Sequence, residues 1–138
     1  MLEWLDARPG SKVLDVGSGS GWSTALLSHI VGPKGRIYAV ELVPELVKFG
    51  RDNAECAEVK NAEFFQAGRI YGLPDYAPFD RILVSAAANK VPKQLVDQLK
   101  PGGKLVIPVH NSIYEISKNQ NGGLESTEHP GFVFVSLI

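Results

Sequence analysis

Sulfur, long apolar runs and a surplus of charge are all scarce in this 138-residue chain, and each scarcity closes off a class of protein. The single cysteine, Cys56, has no partner for an internal disulfide. That excludes a disulfide-stapled fold and suits a reducing, cytoplasmic setting. No apolar stretch reaches the roughly 18 residues of a membrane-spanning helix. The opening Met1-Leu2-Glu3-Trp4-Leu5-Asp6 has neither the basic start nor the apolar stretch of a signal peptide. Lys and Arg number 14 against 15 Asp and Glu, a net charge of -1, so the basic footprint of a nucleic-acid binder is missing. The three histidines, His29, His110 and His129, lie far apart and give no metal-ligand spacing with Cys56. No internal repeat or low-complexity segment interrupts the chain.

What remains is a chain of one-domain length in which 44% of residues are hydrophobic, enough to exclude disorder by composition. Residues 2–7 read as an apolar-faced helix end stopped by Pro9-Gly10. Lys12–Val16 reads as a short buried strand. A helix follows from Trp22 to Val31, with Trp22, Ala25, Leu26 and Ile30 at helical spacing. Arg36–Val40, closed by Glu41, is a second strand. Pro44 opens a helix to about Ala57, with Leu46, Val47, Phe49 and Gly50 on its buried face. Ala62–Gln66 is a third strand, Pro74–Pro78 a loop and Asp80–Ser85 a fourth strand. A helix over Pro92–Leu99 and a fifth strand over Lys104–Val109 follow.

Strands alternating with helices predict a parallel, doubly wound sheet with right-handed crossovers. After Val109 the rhythm changes. His110-Asn111 leaves no room for a crossover helix, so Ser112–Lys118 is expected as an antiparallel strand. Asn119–Gly123 then turns the chain, and Gly131–Leu137 is expected as the last strand. The fold class is therefore α/β, mostly parallel, with an antiparallel carboxy-terminal edge.

The chemistry concentrates after the first strand. Ligands of such sheets bind beyond the carboxyl ends of the strands, near the reversal in strand order. Gly17-Ser18-Gly19-Ser20-Gly21 stands there, where glycines let a ligand approach the backbone and the next helix offers free N–H groups. A dinucleotide fingerprint needs a glycine where Trp22 stands, which argues against an NAD-dependent oxidoreductase. Asp15-x-Gly17-x-Gly19-x-Gly21 is a different pattern, and it resembles the first motif of S-adenosyl-L-methionine-dependent methyltransferases. Glu41, at the end of the second strand, is placed to accept bonds from both hydroxyls of a ribose. Asp15 is read either as steadying the glycine loop or as approaching the cationic end of the ligand.

The whole chain resembles the cofactor-binding part of the protein-L-isoaspartate O-methyltransferases. The resemblance is carried by Val13–Gly21, by Tyr76-Ala77-Pro78-Phe79-Asp80-Arg81-Ile82, by Ala86-Ala87-Ala88 and by Leu99-Lys100-Pro101-Gly102-Gly103 running into Ile107-Pro108-Val109. It implies a Rossmann-like methyltransferase fold, S-adenosyl-L-methionine as cofactor and isoaspartyl residues of damaged proteins as substrates. It also implies a cofactor site drawn from Asp15, Gly17, Ser18, Gly19, Ser20, Gly21, Trp22, Glu41, Leu42, Ala67, Gly68 and Arg69.

Two departures from that family's pattern stand out. The family carries an N-terminal segment with a Thr-Ile-Ser-type motif that helps to bind substrate, and this chain starts just after it, so no catalytic residue is carried over. The family also has Gly-Asp-Gly after the third strand, its Asp holding the adenine amino group; here the stretch reads Gln66-Ala67-Gly68-Arg69. Loss of a bond to a charged group costs about 1.5–3 kcal/mol, or roughly ten- to a hundredfold in affinity. Two alternatives follow: a remnant that acts as a binding module, and a methyltransferase with another acceptor.

The other reactive side chains read as bland. His29 is a helix-end surface residue, His129 a solvated loop residue and Cys56 a partly buried helix residue. His110 stands at a strand end near the ligand side. Ser85 and the three alanines after it either leave room for substrate or simply pack closely. Tyr71 and Tyr76 either line a rim or cover the core.

Overall fold

The computed structural model describes residues 2–131. Their centre is a seven-stranded sheet of order β3-β2-β1-β4-β5-β6-β7. The strands are β1 (Lys12–Val16), β2 (Arg36–Glu41), β3 (Ala62–Gln66), β4 (Phe79–Val84), β5 (Leu99–Val109), β6 (Ser112–Lys118) and β7 (Leu124–Pro130). Pairs from β3 across to β5 are parallel, and β5–β6 and β6–β7 are antiparallel. The mostly parallel, Rossmann-like sheet with an antiparallel edge is therefore as the sequence predicts.

Both faces of the sheet are covered, which is why its central strands read as unbroken apolar runs rather than as alternations. Leu14, Ile82, Val84, Leu105 and Ile107 point to one face, where helix α4 (Lys93–Asp97) packs through Leu95. Val13, Ile37, Leu83 and Val106 point to the other, under Leu5 of α1 (Leu2–Leu5) and Leu27 and Val31 of α2 (Trp22–Val31). Helix α3 (Pro44–Cys56) covers Ala39 and Phe64 through Val47 and Ala54. Pro44 begins α3 as predicted, because its fixed φ and missing N–H cost nothing in a first turn.

Several details differ from expectation. The buried face of α2 is Thr24, Leu27, Ser28 and Val31, and Trp22 is 72% exposed. On α3, Leu46 and Phe49 are exposed while Val47, Gly50 and Ala54 are buried, and Cys56 is exposed. On α3 the inward positions include Gly50, whose missing side chain lets the helix lie against Gly21. Helix α4 is shorter than predicted: Gln98 leaves it to let Phe79 N–H bond the Gln98 carbonyl at 2.8 Å, so β5 begins at Leu99. The expected strand over Gly131–Leu137 lies outside the described residues beyond Gly131. The observed strand β7, paired with β6, is mostly polar and mostly exposed, and so carries no apolar alternation.

Candidate functional site

The strand order reverses between β1 and β4, and a cleft of about 510 Å³ opens at the carboxyl ends of β1, β2 and β4. Val16, Gly17 and Gly19 contribute from the first strand and loop, Val40, Glu41 and Leu42 from the second, and Ser85 and Ala86 from the fourth. Leu46 of α3 and the segment Ala67–Gly72 complete the lining. A depression of about 730 Å³ at the other end of the sheet, between the ends of α2 and α3, lies away from the glycine loop and holds none of the predicted site residues.

The loop after β1 is anchored twice to β2: Gly17 N–H and Ser18 N–H both donate to the Val40 carbonyl, at 2.8 and 3.2 Å. A carboxylate fixes its far side. Glu41 Oε2 accepts the Gly19 N–H at 2.9 Å, and Oε1 accepts the Val43 N–H at 3.4 Å. Gly19 has φ +54 and open space where a Cβ would stand, so the backbone itself forms the wall. Gly21 serves packing instead: it caps α2 at φ +86, pressed against Gly50 of α3.

Asp15 resolves one alternative. It is fully buried, and its Oδ2 accepts bonds from Ser23 Oγ at 2.8 Å and Thr24 Oγ1 at 2.7 Å, tying β1 to the first turn of α2. It therefore steadies the loop. Its Oδ1, like Ser18 Oγ, is buried without a protein partner. Burial pushes the Asp15 carboxyl above the ordinary range; the two hydroxyl bonds oppose this and the Glu41 charge adds to it.

Of the other predicted site residues, Gly17, Gly19, Glu41, Leu42, Ala67, Gly68 and Arg69 line the cleft. Ser18, Ser20, Gly21 and Trp22 stand outside its lining. Ser18 is buried, the Ser20 carbonyl accepts from Asn53 Nδ2 at 2.9 Å, and the Trp22 side chain faces solvent. Ile70 and Gly72 join the cleft from the loop in which the sequence singles out only Ala67, Gly68, Arg69 and Tyr71, and Val16 and Val40 are strand ends that the rule of carboxyl-end binding implies. Tyr71 lines the cleft, whereas Tyr76 covers the sheet against Tyr38 and Phe65 at 5.0 and 5.2 Å. His129 is not a solvated loop residue: it lies on β7, stacked on Trp4 with ring centroids 3.9 Å apart. His110 turns the β5–β6 hairpin at φ 54 and stays outside the cleft lining.

The family model for protein-L-isoaspartate(D-aspartate) O-methyltransferase matches residues 1–138. The chain belongs to that family. It is 46% identical over 143 residues to a protein-L-isoaspartate O-methyltransferase of Pyrococcus horikoshii, covering all of this chain and 64% of the relative. A solved protein-L-isoaspartate O-methyltransferase has a TM-score of 0.90 and 26% identity, covering 99% of this chain and 44% of that one. A Plasmodium falciparum protein, described as a candidate member and solved with S-adenosyl-L-homocysteine, gives 0.83 and 28%, covering 99% of this chain and 69% of that one. The chain spans between 55% and 66% of the length of the curated relatives it matches. No helix among the described residues is long and apolar enough to cross a membrane.

Proposed function

We propose that this chain binds S-adenosyl-L-methionine in the cleft and forms the cofactor-binding part of a methyltransferase acting on isoaspartyl carboxylates of damaged proteins, in the cytoplasm. The observation that carries the reading is the Glu41 carboxylate, bonded to the Gly19 N–H on the open glycine loop. The group fits what is present. Gly17 and Gly19 leave backbone exposed, and Asp15 Oδ1 and Ser18 Oγ are buried polar atoms without protein partners. Glu41 would hold the ribose hydroxyls. Leu42, Leu46, Ala67 and Ile70 would face the apolar surface of the base, with Gly68 and Arg69 at the rim.

The bound cofactor supplies a methyl group made electrophilic by its sulfonium. This chain's residues supply position and dryness. An acceptor carboxylate is already ionised near neutral pH, so no general base is required. Orientation is then the main lever, with effective molarities equivalent to about 7–11 kcal/mol. Ser85 and Ala86, beside the glycine loop, leave the small-residue space through which an acceptor reaches the cleft.

Ala67 favours a second reading, a binding module without turnover, because it puts a methyl group where the family places an acceptor for the adenine amine. Calorimetric titration of S-adenosyl-L-methionine into the wild type and Glu41→Ala, followed by methyl transfer to an isoaspartyl peptide, separates the readings. Saturable binding that weakens about tenfold or more in Glu41→Ala supports the cofactor site. Binding without transfer favours the module. No binding at millimolar ligand removes both.

A further inference from the structure

One wall of the cleft has little structure of its own. Ile70 and Tyr71 are exposed, and among the described residues no backbone–backbone hydrogen bond is made by residues 68–72. Two side chains hold the wall from outside, and the buried one makes two of the three bonds. Gln98, only 4% exposed, accepts the Leu73 N–H on Oε1 at 2.9 Å and donates from Nε2 to the Tyr71 carbonyl at 2.8 Å. Its amide thus pairs with residues 71 and 73 as a neighbouring strand's peptide would. Gly72, between them, has φ +80, and a Cβ there would stand 2.4 Å from Gln98 Oε1, so the loop lies directly on the amide. Gln94, one turn earlier on α4, adds a weaker support by accepting the Tyr71 N–H at 3.2 Å.

A buried amide must be satisfied, and nothing obliges its partners to belong to a ligand-lining loop. Here both side-chain bonds go to it. Gln98 itself is fixed at the junction of α4 and β5 by the Phe79 N–H on its carbonyl and by its own N–H on Leu95 O at 3.1 Å. The loop is therefore referenced to the rigid β4–β5 pair rather than to its own ends.

We propose that Gln98 is a positioning residue for the cleft: its side-chain amide sets where Ile70 and Tyr71 stand, and thereby the affinity for the adenosyl ligand. The inference rests on the cofactor reading above. Gln98→Leu keeps the volume and removes both bonds. Gln98→Glu keeps donor and acceptor when its carboxyl is protonated and only the acceptor when it is ionised. Lys118, whose Nζ caps the Val96 and Leu99 carbonyls at 3.2 and 3.0 Å, is the cation at that junction.

The test combines amide hydrogen exchange of residues 69–73 with calorimetry of S-adenosyl-L-homocysteine. In Gln98→Leu, the loop amides are expected to exchange about tenfold faster or more, and affinity to fall roughly five- to thirtyfold. In Gln98→Glu, affinity relative to the wild type at the same pH is expected to fall as pH rises from about 5 to about 8. A role in stability alone leaves that ratio flat.

Folded Gln98→Leu with affinity within about twofold of the wild type overturns the proposal. Should Gln98→Leu not fold, the Gln98→Glu ratio decides, and a flat ratio overturns it. A wild type that fails to bind sinks the cofactor reading instead. The brace is then judged by exchange, where unchanged protection in Gln98→Leu overturns it.

Discussion

Gly21 and Gly50 meet backbone to backbone: a Cβ on Gly21 would stand 2.9 Å from the Gly50 carbonyl oxygen, and a Cβ on Gly50 would stand 3.1 Å from the Gly19 carbonyl. This contact seats the start of α2 against the middle of α3 and holds the glycine loop against α3. Gly21→Ala adds a clash to an unfavourable φ of +86, so it is expected to destabilise by about 1–3 kcal/mol. Because the loop must move to relieve the clash, ligand affinity should fall as well. Thermal denaturation and calorimetry on the same variant check both, and an unchanged melting temperature removes the argument.

Asp15 carries a sign that can be worked out. Its folded-state pKa lies above the ordinary carboxylate range, mainly through burial, so the folded protein holds this proton more tightly than the unfolded chain does. Its contribution to stability is therefore fully present below the unfolded pKa and is lost as pH rises through the folded one. Asp15→Asn removes the titration and keeps an oxygen for Ser23 and Thr24. The melting temperature of Asp15→Asn minus that of the wild type should rise with pH from about 4 upward. A difference in melting temperature independent of pH contradicts the reading.

Ala67 lines the cleft immediately after β3, with its N–H on the Glu41 carbonyl at 2.8 Å. Ala67→Asp restores a carboxylate acceptor without altering that backbone bond. It is expected to tighten binding of S-adenosyl-L-methionine by roughly ten- to a hundredfold, the value of one charge-assisted bond. A nucleoside ligand lacking the exocyclic amine should gain nothing. Equal gains for both, or none, would mean that position 67 does not face the base.

The sheet was legible because its signals are local and strong: Val13–Val16, apolar but for Asp15, Ile37–Val40 and Ile82–Val84 are short runs each opened by a lysine or arginine. The glycine loop and Glu41 were legible because their positions follow from the parallel topology. What escaped notice depends on contacts distant in sequence. Ala67, Gly68, Arg69 and Tyr71 were marked in sequence, but Ile70 and Gly72 were not, because the loop's placement beside Gln98 is a contact distant in sequence. The outward turn of Trp22, Leu46 and Phe49 follows from Gly21 meeting Gly50, a contact between two helices. Leu124–Pro130 is held by the β6 ladder and by polar and ring contacts of Glu128 and His129, so its mostly polar side chains gave no apolar strand signal.

His129 on that edge strand supplies the last prediction. Its ring lies 7° from parallel to Trp4 of α1, and its Nε2 stands 2.5 Å from Glu115 Oε2 on β6. Lys104 Nζ of β5 approaches the other oxygen of Glu115 at 3.5 Å. Three strands and the amino-terminal helix thus meet at one half-buried cluster. Stacked aromatic pairs are worth about 0.5–1.5 kcal/mol beyond area burial, so a Trp4→Ala, His129→Ala double-mutant cycle should give a coupling energy in that range. Glu115→Gln should lower stability without changing ligand affinity, because the cluster has no residue in the cleft lining. Denaturant melts of the four proteins of the cycle provide the coupling. A value near zero would mean that α1 is held by Leu5 in the core and not by the stack.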